Sequence, residues 1–338
     1  MRLPYLTVRQ ALIAALALTF TLRGTAAVEY TPVVLDSPSH AIAFGLNNQG
    51  QVVGRAAVQS GETHAVLWQD GRLVDLGTIP GGQYSEAYAI NDRGQVVGWS
   101  TIDQSTCTAF DGCWHAFHWE DGIMTDLLGL DPRFQSYAYS LNDKGQIVGI
   151  SATQDYPFGD FRPVLWHNGS IVDLGKPEGA TNAYTNGVNA MGDAAGSATF
   201  ADGSTVPLVW SRGSRTELPR PPGTTFTEAR KINNRGQIVG TDGTNTVLWT
   251  DGRLTVLPNP PGAGSSNPSD INASGVVVGR SSQFAGRRAV IWENGQPATL
   301  PMLPGWTDSE AYGVNDRGDV VGHASTSIGL RAVMWVRN

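Results

Sequence analysis

The chain has only two cysteines in 338 residues, only 16% charged residues, and no surplus of positive charge, since 23 Lys and Arg stand against 30 Asp and Glu for a formal charge of −7. Two cysteines are too few for a disulfide-dense scaffold or a cysteine-built zinc cage. An acidic balance speaks against nucleic acid, whose phosphates are held by Lys and Arg. The sequence lacks a Gly-rich phosphate loop, zinc-spaced His and Cys, a nucleophile elbow, and calcium-loop spacing in its acidic stretch 103–111. No cofactor or metal is therefore expected, and no reaction is identified.

Long apolar runs are missing too, except at the start. There Arg2 and Arg9 precede an apolar stretch from Ala11 to about Leu22, and Thr25-Ala26-Ala27 supplies small residues for cleavage before Val28. A comfortable membrane span needs roughly 20 apolar residues, so residues 1–27 read as a signal peptide, with an uncleaved anchor as the alternative. Removing them takes away three arginines and no acids, leaving 20 basic against 30 acidic residues in the mature chain 28–338. The mature protein is expected to be secreted or periplasmic, with no integral membrane span, and monomeric. In an oxidising compartment Cys107 and Cys113 are expected to form a disulfide, two free or buried thiols being the alternative.

What is plentiful is turn material: 41 Gly and 19 Pro punctuate short runs of Val, Ile, Tyr and Trp, as in an all-β protein. The chain repeats itself. The pattern Ala-x-x-(aliphatic)-Asn-x-x-Gly-x-Val-Val-Gly returns seven times with variations, Thr185 and Pro268 replacing the leading Ala in two copies, while every copy keeps its Asn, at 47, 91, 142, 189, 233, 272 and 315, and the glycines three and seven positions later. Each copy then runs to a tryptophan, at 68, 119, 166, 210, 249, 292 and 335, and six of these are followed three positions on by Gly. Every unit thus supplies four short strands, the number in one propeller blade, and the Asn spacings of 39 to 51 residues suit such blades.

The fold expected is an all-β, seven-bladed β-propeller occupying residues 28–338 as one domain. Its seventh unit stops at Asn338 without a fourth strand, whereas Pro32-Val33-Val34-Leu35-Asp36 resembles one and precedes the first unit. The segment at about 32–36 is therefore expected to complete blade seven and close the ring, which removes exposed sheet edges. An open β-solenoid is the alternative.

The units resemble the HAF repeats of probable extracellular repeat proteins, whose His-Ala-Phe step stands here as His115-Ala116-Phe117. The likeness covers the whole mature chain. It departs at His64-Ala65-Val66 and Val206-Pro207-Leu208. The resemblance implies export and repetition, and it brings no catalytic residue to carry over.

A residue present in every blade is explained by building blades, so a site must come from positions where blades differ. The seven Trp are expected to pack between sheets and the seven Asn to satisfy turn backbone. Five positions before the Asn stand Ile42, Glu86, Tyr137, Tyr184, Glu228, Asn267 and Glu310, expected at the mouth of the channel. Just after Val-Val-Gly come Arg55, Trp99, Ile150, Ser197, Thr241, Arg280 and His323. The candidate ligand-binding set is Glu86, Trp99, Tyr137, Tyr184, Glu228, Arg280, Glu310 and His323. Glu86, Glu228, Glu310 and His323 are the candidates for acid–base work. Within-blade pairing, Glu86 with His115 and Glu310 with Arg331, is the structural alternative. The functions in contention are a module binding a protein, peptide or glycan at the loop-rich face, a lyase or hydrolase at the channel mouth, and a passive cell-surface component.

Overall fold

A computed structural model describes residues 28–38, 40–103, 113–154, 160–283 and 286–338. The predicted signal peptide and Cys107 lie outside the described residues. Seven antiparallel sheets of four strands each form a ring, six of them each built from one sequence unit and the seventh from the last unit and the first strand. Blade 1, for example, is Ile42–Leu46, Val52–Ala57, Thr63–Gln69 and Arg72–Gly77 from the channel outward. The two turns of a blade share one end of the molecule, called here the turn end. The variable connections share the other, the loop end.

The chain closes on itself. Tyr30–Val34 pairs with Gly329–Arg337, Tyr30 opposite Arg337 and Val34 opposite Val333, as the outermost strand of blade 7. The strand lies two residues earlier than the sequence suggested, because Asp36 has already left the sheet and its carbonyl accepts the Trp68 indole N–H at 2.7 Å. Ring closure leaves no blade with an unpaired partner on either side.

Repeated residues do repeated structural work. Trp119 is partly buried, and the other six repeat tryptophans are buried between sheets, Trp249, Trp292 and Trp335 at 1% exposure or less. Each of these three donates its indole N–H to a carbonyl leading out of the preceding blade, Pro219, Pro258 or Pro301, at 2.7 to 2.9 Å. At the first turn of blade 2, Asn91 Oδ1 accepts the N–H groups of Arg93 and Gln95 at 3.0 Å, while Asn91 Nδ2 donates to the Asn142 carbonyl of the next blade at 3.1 Å. The same side chain therefore shapes its own turn and ties two blades together. The outer turns place Asp70 and Gly71 both at positive φ, 51° and 73°, as a two-residue primed hairpin requires.

The glycine ending Val-Val-Gly has a different reason. A Cβ on Gly98 or Gly149 would stand 1.8 Å from the carbonyl oxygen of Glu86 or Tyr137 on the innermost strand. Only Gly lets the two strands approach so closely. Directly after that contact every innermost strand carries a β-bulge, with the extra residue three positions before the Asn.

Candidate functional site

The bulge decides what faces the channel. In a propeller the two faces of a blade look at neighbouring blades, so a regular innermost strand sends its side chains into the interfaces. A bulge re-aims one of them. The bulged residues are Phe44, Tyr88, Tyr139, Asn186, Arg230, Ser269 and Tyr312. Four of them form an aromatic arc over blades 7, 1, 2 and 3. Tyr312 lies 5.2 Å from Phe44, Phe44 lies 5.4 Å from Tyr88, and Tyr88 stacks on Tyr139 at 5.6 Å. The arc continues toward the loop end through Tyr137, Trp99 and Tyr84, with Trp99 Nε1 donating to the Tyr88 hydroxyl at 2.8 Å. Blades 4, 5 and 6 present Asn186, Arg230 and Ser269 instead, so the channel has one aromatic and one polar side.

The residues five before the Asn do not form an open rim. Glu86 and Glu310 are 6% and 3% exposed, set into blade interfaces. Their partners also differ from those expected. Glu86 is paired with Arg55 of blade 1 and accepts the Tyr84 hydroxyl at 2.6 Å, not His115. Glu310 Oε1 receives Arg280 of blade 6 at 2.9 Å and Arg287 at 2.5 Å, and its Oε2 accepts the Tyr312 hydroxyl at 2.8 Å; Arg331 instead donates to the Ser37 carbonyl. The physical reason is that the second strand of one blade lies beside the first strand of the next, so the residue after Val-Val-Gly meets the following unit. Trp99 meets Tyr137 by the same rule, at 5.8 Å. His115 has its own partners, Asp126 at 2.8 Å and the Pro132 carbonyl at 3.1 Å.

The remaining candidates are scattered around the same end. Glu228 is half-buried and takes Arg230 Nη2 at 3.0 Å, while Tyr184 packs on Phe161 at 6.2 Å. His323 is buried rather than exposed, stacks on Tyr312 at 5.6 Å, and has no partner for its Nδ1. Burial holds its pKa below the ordinary histidine value. Each of the three glutamates is thus paired with arginine, and none stands free as an acid or base. Cys113 is buried in the core between blades 1 and 2 with Ile102 and Phe117. Its predicted bridge to Cys107 falls outside the described residues.

Sequence reasoning missed the bulged aromatics and a pair deeper in the channel. Lys231 Nζ reaches from blade 5 to the Tyr139 carbonyl of blade 3 at 3.3 Å, crossing the lumen. Asp270 beside it accepts the Val314 N–H at 3.0 Å. Burial lowers the lysine pKa and raises that of the aspartate. A signal was available for the arc: the third residue before the Asn is aromatic in four units and polar in three.

Toward the turn end the channel widens into a cavity of about 210 Å³ walled by Leu46, Ile90 and Leu141 and rimmed by the repeated asparagines. Their amides are already engaged. Six links of the circlet are made, 47 to 91, 91 to 142, 142 to 189, 233 to 272, 272 to 315 and 315 to 47, each from Nδ2 to the next carbonyl. A larger groove of about 520 Å³ over Glu217–Thr224 is an open connection between blades 4 and 5 and gathers no candidate residue. Among the described residues no three His, Cys, Asp or Glu side chains come together as metal ligands, and no helix is long and apolar enough to cross a membrane.

Solved structures share this architecture. Puromycin hydrolase matches with a TM-score of 0.60 at 12% identity, over 90% of this chain and 54% of that one. The β-propeller domain of the Trilobed protease from Pyrococcus furiosus matches with a TM-score of 0.55 at 9% identity, over 89% of this chain and 97% of that one. The likeness is one of fold. The chain spans about half the length of the puromycin hydrolase structures it matches. The Pyrococcus propeller has an open velcro topology, whereas here the first strand closes the last blade. No family model and no curated protein matches the sequence.

Proposed function

We propose that this chain is an exported binding module of the HAF repeat type, which recognises a protein, peptide or glycan at the loop end of its channel. The observation that carries the reading is the asymmetric arc of half-buried aromatic rings that the bulges turn into the lumen. Tyr and Trp offer large rigid faces with a polar handle, which suits recognition by stacking with few ordered torsions. The pairing of Glu86, Glu228 and Glu310 with arginine speaks against the lyase or hydrolase alternative, because a carboxylate whose oxygens are occupied by a guanidinium is not free to face a substrate. A passive surface component has no use for an arc confined to blades 7 to 3.

Export from a leader at 1–27 and a Cys107–Cys113 disulfide belong to the same proposal. Glycan-array and surface pull-down screening of the purified protein tests the reading, with Trp99→Ala and Tyr139→Ala as arc variants. Partners lost from the variants support it. Partners unaffected by either variant, or turnover of a captured ligand, count against it.

A further inference from the structure

The basic sector at the loop ends of blades 6 and 7 is out of keeping with an acidic chain. Four arginines, Arg280, Arg287, Arg288 and Arg331, stand there against two carboxylates, Asp308 and Glu310. Glu310 is fully used: two guanidiniums share its Oε1 and the Tyr312 hydroxyl takes its Oε2. Asp308 Oδ1 accepts the Arg287 backbone N–H at 2.6 Å. Arg288 and Arg331 are held by backbone carbonyls, of Arg287, Thr307 and Ser37. Among the described residues no carboxylate pairs with Arg288 or Arg331, so the sector carries an excess of positive charge.

The two guanidiniums on Glu310 remain accessible, with 41% of the Arg280 side chain and 52% of the Arg287 side chain exposed. Each guanidinium has five donors in a planar fork, matched to a carboxylate. Beside them lies a second, independent sign of a ligand: His323, 6% exposed and stacked on Tyr312, leaves Nδ1 without a partner. Buried polar atoms in a finished interior are paired. Tyr312 in turn touches Phe44, the start of the aromatic arc.

Resting on the binding-module reading, we propose that this sector is a subsite for the carboxylate of an acidic saccharide, with Arg280 and Arg287 gripping the carboxylate and Tyr312 and Phe44 stacking against the sugar ring. A uronate-type residue places an anionic fork next to a flat apolar face, the pairing the site offers. A peptide held by strand addition needs an unbroken free edge, and every channel-facing edge here is interrupted by a bulge. Nucleic acid is disfavoured by the acidic remainder of the surface.

The test is calorimetric titration of the purified full chain with oligogalacturonate, its fully methyl-esterified counterpart, a peptide with a free C-terminal carboxylate, and oligothymidylate. The acid form is expected to bind at least tenfold more tightly than the ester, with the difference shrinking as salt rises. Arg287→Gln, which leaves Glu310 with Arg280 and Tyr312, removes most of that preference while ester binding stays unchanged. Phe44→Ala weakens acid and ester alike. Arg317→Gln, on the turn end beside Asp319, changes neither. Equal binding of acid and ester overturns the subsite while leaving the module reading in place. Tighter binding of the peptide or the oligonucleotide overturns it as well. If no saccharide binds but pull-down partners still depend on Trp99, the subsite fails and the module stands. If partners ignore Trp99 and Tyr139 too, both fail.

Discussion

The two ends of the channel are made from the same seven strands and obey opposite rules. At the turn end symmetry is kept: the asparagines repeat in every blade, each shaping a turn and reaching to the next carbonyl in six of seven links. At the loop end symmetry is broken, with aromatics on one side of the lumen, polar groups on the other, and a basic sector between blades 6 and 7. Identical side chains can form a closed circlet because every blade faces the same neighbour. A ligand has no sevenfold symmetry, so a surface that recognises one has to abandon it.

This contrast can be broken or sharpened by substitution. The largest effect is expected at the scaffold glycine Gly149, where an added Cβ meets the Tyr137 carbonyl oxygen at 1.8 Å. Gly149→Ala should cost about 4 kcal/mol or more in urea-unfolding stability, since backbone has to shift. Asn91→Ala at the turn end leaves two turn N–H groups and one inter-blade carbonyl short of a partner, for an expected loss of about 2–3 kcal/mol in the same measurement.

A smaller change is expected from pH. His323 is buried with its pKa depressed, close to Glu310, Asp308, Arg287 and Arg55. The unfolded chain therefore takes up the proton first, so stability is full above about pH 6.5 and declines as pH falls below it. His323→Phe should flatten that decline in thermal melts, leaving the part due to His118, which is shifted in the same direction. Glu228→Gln, at a half-exposed pair with Arg230, should change stability by less than about 1 kcal/mol. Least of all is expected at the bulge. Asn186→Tyr should leave the urea midpoint within about 0.5 kcal/mol of the parent and extend the arc into blade 4; a loss as large as that of Asn91→Ala would erase the distinction between the two ends.

Most of the architecture was legible in the sequence because it is carried by repetition. Seven Asn, seven Trp and their glycines gave the blades, and the orphan strand before the first unit gave the closure, two residues out of place. The lumen was not legible by counting, since a regular strand alternates with period two and the bulge at Phe44, Tyr88 or Tyr139 adds one residue to that count. Glu86 and Glu310 were consequently assigned to an open mouth when they sit between blades. Their true partners were readable in another way, by setting the residue after Val-Val-Gly of one unit beside the residue five before the Asn of the next: Arg55 with Glu86, Arg280 with Glu310, Trp99 with Tyr137. Lys231 and Asp270 carried no such pattern, because both stand two positions before the Asn, where the other five units all have Gly, Ala or Ser.

A bulged residue is supernumerary. It has no opposite number in the ladder, so exchanging it leaves the strand register in place. The ring therefore holds seven sockets whose contents can be swapped one at a time, and a single frame of this kind can be retuned from an aromatic lining to a charged or a neutral one without rebuilding any wall.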